Sequence, residues 1–132
     1  MVNKDREIVL ALATFPGEES AAALARQLLA EGLVACVNIL PGVRSLYRWE
    51  GEVQDEPEVL AFMKSRRELA DELVERLVEL HPYETPAVSV LSPHAVAREY
   101  GAWVTDELRG ALEHADLLNC LSEAATPTAA GP

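Results

Sequence analysis

Two short runs in this chain, residues 8–14 and 59–63, are apolar at nearly every position. A strand with one solvated face alternates apolar and polar residues, whereas a strand buried on both faces is continuously apolar. The runs therefore predict a sheet that needs cover on both sides. Two helices shield only one side, so we expect copies of the chain to cover the other, with strands of neighbouring subunits meeting at the open edges.

Two segments carry apolar residues at the spacing of an amphipathic helix. The first is marked by Ala21, Leu24, Ala25, Leu28 and Leu29, and the second by Leu69, Leu73, Leu77 and Leu80. Gly32 stands where the residue after a helix end belongs. Ser65 and Glu68 fit a capping box at the start of the second helix, with Ser65 as N-cap. A last helix over about 96–110 is indicated by Tyr100, Trp103, Val104 and Leu108.

The segments between the helices are typical of strands. Residues 33–40 predict a second strand, which Pro41 and Gly42 turn or bend, and residues 45–49 continue it in extended form. Gly51 marks a hairpin tip among acidic residues, and residues 87–91 predict the last strand. This order is the βαββαβ plan of the ferredoxin-like α+β fold, an antiparallel sheet with two helices on one face, followed here by a C-terminal helix.

Residues 81–86, His-Pro-Tyr-Glu-Thr-Pro, connect the second helix to that last strand. Proline lacks an N–H, fixes φ and excludes the α region for the residue before it, so His81 must leave the helix and Thr85 must be extended. An imidazole, a phenol and a carboxylate are thus held in a stiff link. A binding site requires such rigidity, and so does a plain helix-to-strand connection.

Bulk properties indicate one domain and exclude several functions. At 132 residues the chain forms one domain over 1–112, with 113–132 predicted as a largely disordered C-terminal extension. The net charge of −11 argues against nucleic acid and suits cations or basic partners, unless it serves solubility alone. No signal peptide or membrane span is evident. Cys36 and Cys120 form no disulfide framework, so we expect a cytoplasmic protein with reduced thiols.

Four stretches, residues 35–42, 45–51, 58–64 and 81–86, resemble the CutA1 family of divalent-cation-tolerance proteins in order and spacing. The similarity spans about residues 7–110. The resemblance implies a homotrimer of ferredoxin-like subunits related in architecture to PII signalling proteins. It also implies a role in the response to divalent metal ions, with copper the ion most often attached to the family and no metal required for folding.

Copper binds thiolates as Cu(I), and imidazole with oxygen donors as Cu(II). The chain offers His81 and Cys36 at family motif positions, with Glu84 beside them, as candidate metal ligands assembled by the fold or between subunits. The positions where some family members carry further thiols correspond to Ala13 and Leu77. The structural alternatives stay open: Cys36 packs in a strand, and His81 binds the last carbonyls of the helix.

The resemblance also places a set of candidate ligand-binding residues near an inter-subunit cleft with His81. These residues are Tyr47, Trp49, Glu58, Lys64 and Tyr83. Aromatic walls with an acid and a base suit a small ligand. Alternatively, Tyr47 and Trp49 anchor the subunit interface.

The sequence lacks the motifs of an enzyme. It has no glycine-rich phosphate loop, no serine or cysteine nucleophile elbow and no pair of histidines at zinc-ligand spacing. We therefore expect a non-enzymatic, copper-binding tolerance protein. The alternative is a trimeric PII-like sensor or scaffold that binds a small molecule and acts on a protein partner.

Overall fold

The computed structural model describes residues 7–110, which fold into four strands and three helices. The elements in chain order are β1 (Ile8–Phe15), α1 (Glu18–Ala30), β2 (Cys36–Trp49), β3 (Glu52–Arg66), α2 (Ala70–Leu80), β4 (Val88–Leu91) and α3 (Arg98–Glu107). A 3₁₀ turn, Arg67–Leu69, joins β3 to α2. The predicted order of elements is confirmed, and the segment 113–132 lies outside the described residues.

The sheet has the strand order β2-β3-β1-β4, and each pair is antiparallel. The apolar runs lie in the two central strands, with Ala11 opposite Met63 and Leu12 opposite Phe62. This is the ferredoxin-like topology expected from the sequence. Its central strands are apolar on both faces, the pattern of strands that need cover on both sides.

One face of the sheet packs against α1 and α2. The odd-numbered residues of β1 and β3 point to this face, where Ala11, Ala13, Ala61 and Met63 are almost fully buried. They form one cluster with the helix residues Ala21, Leu24, Leu28, Leu73 and Leu77. The helical stripes predicted from sequence are confirmed except at Leu29, which is 40% exposed. This residue points away from the sheet at the last turn of α1.

The even-numbered residues of β1 and β3 form the opposite face, which we call the open face. Its centre is apolar and only half-buried; the residues there are Leu10, Leu12, Leu60 and Phe62. The flanking residues Leu40 and Leu91, on the two edge strands, are 42% and 52% exposed. Residues 7–110 thus leave an apolar sheet face without a covering layer, as the continuous apolar runs predicted.

The β2–β3 hairpin extends well beyond the body of the sheet. Its pairing continues from Val43 opposite Glu58 to Trp49 opposite Glu52, around a tip where Glu50 and Gly51 have positive φ. Pro41 and Gly42 do not end the strand; they form a bulge that shifts the register between Leu40 and Val43. An edge strand tolerates this proline because its missing N–H needs no partner on the outer side.

The helix ends show one confirmed and one wrong prediction. Gly32 has φ +71° and lies after α1, where its N–H and that of Leu33 bind the carbonyls of Leu29 and Leu28 in a Schellman motif. Ser65 is not an N-cap: it is fully buried in β3, and its hydroxyl donates to the Leu33 carbonyl at 2.8 Å. The chain stays extended through Arg66 because the β1–β3 ladder runs to that residue.

A smaller core lies at the end of the sheet where β1 begins. Val104 and Leu108 are fully buried against Ile8, and Tyr100 and Trp103 pack around them. The N–H of Arg109 donates to the Gly32 carbonyl at 2.9 Å, so the end of α3 is fixed to the end of α1. This packing brings α3 next to the first residues of β2.

Candidate ligand sites on the open face

The His81 ring is held by two hydrogen bonds within the chain. Its Nε2 lies 2.8 Å from the carbonyl oxygen of Thr14, and the backbone N–H of Tyr83 donates to Nδ1 at 3.0 Å. Since Nδ1 accepts, the proton of the neutral ring lies on Nε2, which donates to Thr14. The ring stacks on Phe15 with centroids 4.5 Å apart. His81 leaves the helix with ψ 141°, as the following proline predicted.

Burial lowers the pKa of His81 below its ordinary 6.5, although the Thr14 carbonyl and the Glu58 carboxylate oppose this. The neutral form therefore prevails near pH 7. The ring acts as a brace between β1 and the proline-bounded link. The alternative that it binds the last carbonyls of the helix is wrong, because its two nitrogens contact Thr14 and Tyr83 instead.

Tyr83 and Glu58 form the polar end of the same region. The Tyr83 hydroxyl donates to a Glu58 carboxylate oxygen at 2.9 Å. Burial and this carboxylate strongly raise the pKa of Tyr83, and Tyr47 and Glu56 add to the effect. Burial is also the largest cause that raises the pKa of Tyr47, and the carboxylates of Glu56 and Glu58 raise it further. We call Tyr47, Glu58, His81 and Tyr83 the tyrosine cluster.

A second group lies at the other end of the open face, where β2 begins. The Lys64 ammonium donates to the Asn38 side-chain oxygen and to Cys36 Sγ, the latter at 3.5 Å. Tyr100 of α3 contacts Cys36; burial and this contact raise the pKa of its phenol. We call Cys36, Asn38, Lys64 and Tyr100 the lysine cluster.

The register separates the two clusters within one chain. Lys64 pairs with both Cys36 and Leu10, whereas Thr14, the partner of His81, pairs with Leu60. Leu10 and Thr14 are four residues apart on β1, about 13 Å at the rise of a strand. The structure therefore brings Glu58 and Tyr83 close to His81, with Tyr47 near Tyr83 and Glu58, but places Lys64 and Cys36 elsewhere.

The other two predicted site residues join neither cluster. Trp49 is 50% exposed at the hairpin end, opposite Glu52. Glu84 is exposed in the proline-bounded link. Ala13 and Leu77, at the positions of further thiols in some relatives, are core residues of the helix-covered face. Cys120 and His114 lie outside the described residues.

No group of three or more His, Cys, Asp and Glu side chains within residues 7–110 is arranged to hold a metal ion. Both ring nitrogens of His81 are engaged, and Cys36 is at the far end of the face. The predicted ligands thus do not form a set within one subunit.

A depression of about 370 Å³ lies beside the bulge of the hairpin, lined by Gly42, Val43, Arg44, Asp55, Glu56 and Pro57. Arg44 and Asp55 form a two-bonded ion pair across the two strands there. None of the predicted site residues lines this depression, so it adds no group to either cluster.

Sequence reasoning missed the partners of the site residues. Thr14 contributes only its backbone carbonyl and Phe15 only its ring face, which no motif signals. Asn38 lies inside one of the motif stretches, two positions after Cys36 on the same face of β2, and this spacing could have identified it. Tyr100 comes from a helix distant in sequence.

The sequence model of the CutA1 divalent ion tolerance protein family matches this chain over residues 9–107. The chain belongs to this family. It is 38% identical over 102 residues to the divalent-cation tolerance protein CutA of Pyrococcus horikoshii. The match covers 77% of this chain and 99% of the relative. The corresponding protein of Thermus thermophilus is 42% identical over 95 residues, 72% of this chain and 92% of the relative.

Solved CutA1 structures share the fold. The Thermus thermophilus protein superimposes with a TM-score of 0.73 at 40% identity, covering 76% of this chain and 98% of that structure. CutA1 from Oryza sativa superimposes with a TM-score of 0.75 at 36% identity, covering 79% of this chain and 95% of that structure. The periplasmic divalent cation tolerance protein CutA from Archaeoglobus fulgidus superimposes with a TM-score of 0.73 at 29% identity, covering 76% of this chain and 97% of that structure. The resemblance read from four motif stretches is therefore confirmed, with its fold.

Family membership supports a general role in divalent-cation tolerance. Among the described residues, no helix is long and apolar enough to cross a membrane.

Proposed function

We propose that this CutA1 protein acts in copper tolerance as a homotrimer that binds the ion between subunits. Membership of the divalent-cation tolerance family supports the general role. The observation that supports a shared site is the open face: it is apolar, lacks cover from residues 7–110, and carries the thiol of Cys36 half-exposed at one end. A second copy on this face supplies the further donors that one subunit lacks.

The three candidate ligands differ in how readily they reach an ion. Cys36 is the most available soft donor, which suits Cu(I). His81 binds metal only after the Tyr83 N–H releases Nδ1, because the lone pair of the neutral ring is used there. Glu84 is exposed and has an oxygen donor free for Cu(II) or a harder ion.

We propose a binding role without catalysis, carried out in the cytoplasm, in a chain that folds without metal. In the described part of the chain, every buried side-chain nitrogen and oxygen has a hydrogen-bond partner, which supports folding without a metal because no buried polar atom needs an ion as its partner.

Calorimetry with Cu(II), Zn(II) and Ni(II), and with Cu(I) under reducing conditions, tests this proposal. We expect Cys36→Ser to weaken Cu(I) binding most, and His81→Ala and Glu84→Gln to weaken Cu(II) binding. His94→Ala is the matched control, since His94 is an exposed imidazole outside both clusters. Equal affinities in wild type and all three ligand variants would exclude this site.

The tyrosine cluster favours a second candidate, a cleft that binds a small molecule and signals to a partner. Glu58 is half-exposed between two phenols, Tyr47 and Tyr83, an arrangement that suits a ligand with hydrogen-bond donors. Ligand-observed NMR with a library of small polar compounds tests it. Hits that Glu58→Gln abolishes while metal affinity stays unchanged would support the sensor; hits unaffected by this variant would contradict it.

A further inference from the structure

Lys64 is a cation placed on an apolar surface. Its strand neighbours across the ladder are Leu10 and Cys36, and the adjacent pair on the open face is Asn38 with Phe62. The side chain is half-buried, and its ammonium gives hydrogen bonds to two acceptors, the amide oxygen of Asn38 and the sulfur of Cys36. A third N–H remains for another acceptor.

Three other cations of the sheet and its edge have carboxylate partners, whereas the exposed Arg48 on the hairpin has none among the described residues. Arg44 pairs with Asp55, Arg66 with Glu68 and Arg67 with Glu7. Within residues 7–110, Lys64 has no carboxylate partner, although the full chain has 22 acidic residues against 11 basic ones. The side chain is half-buried, so its ammonium is also accessible to water while the face is open.

Covering the open face removes that water. An ammonium transferred into an apolar interface without a counter-charge is strongly unfavourable, whereas a carboxylate with good hydrogen-bond geometry compensates it. The Asn38 amide accepts from Lys64 through its oxygen, and its NH2 is a further donor at the same point. The phenol of Tyr100, which contacts the neighbouring Cys36, carries another hydroxyl nearby. The apolar floor beside them, Leu10 and Phe62, accepts the carbon chain that carries the carboxylate.

We propose that the lysine cluster is a carboxylate-binding site, with Lys64 as the charged donor and Asn38 and Tyr100 as orienting groups. The proposal rests on the covered open face of the proposed trimer and requires no metal. Two sources supply a carboxylate: an acidic side chain of a second copy, or a free organic acid. In the second copy, Glu52 and Glu56 are suitable because they lie on the part of the hairpin that extends beyond the body of the sheet.

The chain contains two lysines, Lys4 and Lys64, so labelling lysine with ¹³C at Cε and ¹⁵N at Nζ gives two NMR signals. Lys4→Met assigns them, and Lys4 then serves as the internal reference. Sodium benzoate is titrated against sodium chloride of equal ionic strength. If a free acid is the ligand, we expect a saturable shift of the Lys64 signal only, and Asn38→Ala should weaken benzoate binding by about tenfold.

If a second copy supplies the carboxylate, benzoate leaves the Lys64 signal unchanged, and either Glu52→Gln or Glu56→Gln moves it. Lys64→Met should then weaken self-association by about tenfold or more, while Lys4→Met should not. The proposal is overturned if benzoate, Glu52→Gln and Glu56→Gln all leave the Lys64 signal where it is. Sedimentation velocity on the same samples measures the trimer separately. A monomeric protein would contradict the proposed assembly, whereas the Lys64 signal tests the carboxylate site.

Discussion

Both faces of the sheet carry aliphatic residues on β1 and β3, yet residues 7–110 cover only one of them. On the helix-covered face, Ala11, Ala13 and Met63 are within 1% of complete burial. On the open face, Leu12 and Phe62 are only half-buried, and Leu91 is half-exposed. Strand composition is therefore similar on the two faces, and the difference lies in what packs on them.

The comparison shows where stability and function divide. The covered face is a finished core, and among the candidate binding groups the buried His81 touches it, through the ring of Phe15. The open face ends in the tyrosine cluster on one side and in the lysine cluster on the other. A layer formed by further copies would cover its apolar centre and bring a second subunit to both clusters.

The largest effect is expected in the finished core. Leu77→Ala should lower the free energy of unfolding by about 2–5 kcal/mol, because a fully buried leucine leaves a cavity. Val78→Ala, one residue along α2 and 49% exposed, should change it by less than about 0.5 kcal/mol. Urea denaturation at one fixed protein concentration measures both. Equal losses would contradict the assignment of the covered face.

A charge on the open face should act on assembly instead. Leu12→Glu is expected to weaken self-association about a hundredfold, because an unpaired carboxylate in an apolar interface costs several kcal/mol. Leu29→Glu places the same charge on an exposed leucine of α1 and should leave association unchanged. Sedimentation equilibrium distinguishes them. Unaltered association of Leu12→Glu would show that nothing packs on the open face.

Loss of the hydrogen bond between the proline-bounded link and β3 should lower the free energy of unfolding by a smaller amount. Tyr83→Phe removes the hydrogen bond to Glu58 and should cost about 1 kcal/mol of unfolding free energy. Glu58→Gln keeps an acceptor for the hydroxyl and should cost less. The urea midpoint of each variant against wild type checks the order, and a neutral Tyr83→Phe would contradict a structural role for this contact.

The pH dependence is expected to be the smallest effect. Because burial lowers the pKa of His81 below 6.5 in the fold, the unfolded chain takes up the proton first as pH falls. Stability contributed by the neutral ring is thus present above pH 6.5 and is lost on acidification below it. Urea midpoints between pH 7.5 and 5 should fall less steeply in His81→Asn than in wild type or His94→Ala. Parallel curves for all three would contradict the neutral brace.

Much of the fold could be predicted because local signals agreed with it. The apolar runs, the helical stripes and the proline after His81 act within a few residues. The capping box at Ser65 failed because ladder pairing through Arg66 outweighed a local hydrogen bond. Pro41 and Gly42 were expected to turn or bend the chain, and the bulge within a continuous β2 depends on pairing with β3.

The candidate site was only partly predictable, since residues of one motif can lie far apart in register. Glu58 and Lys64 belong to the same strand and face, but six positions separate them, about 20 Å. His81 and Cys36 were grouped by chemistry, and the sheet places them at opposite ends. The tautomer of His81 depends on the backbone of Thr14 and Tyr83, which the sequence does not specify.

The central claim is that copies of this chain cover the open face. The mass in solution, from sedimentation equilibrium of the full-length protein over a wide range of concentrations, tests it directly. We predict three times the mass of one chain for the wild type and a mass closer to that of one chain for Leu12→Glu. A wild-type protein that remains monomeric throughout this range would contradict the account.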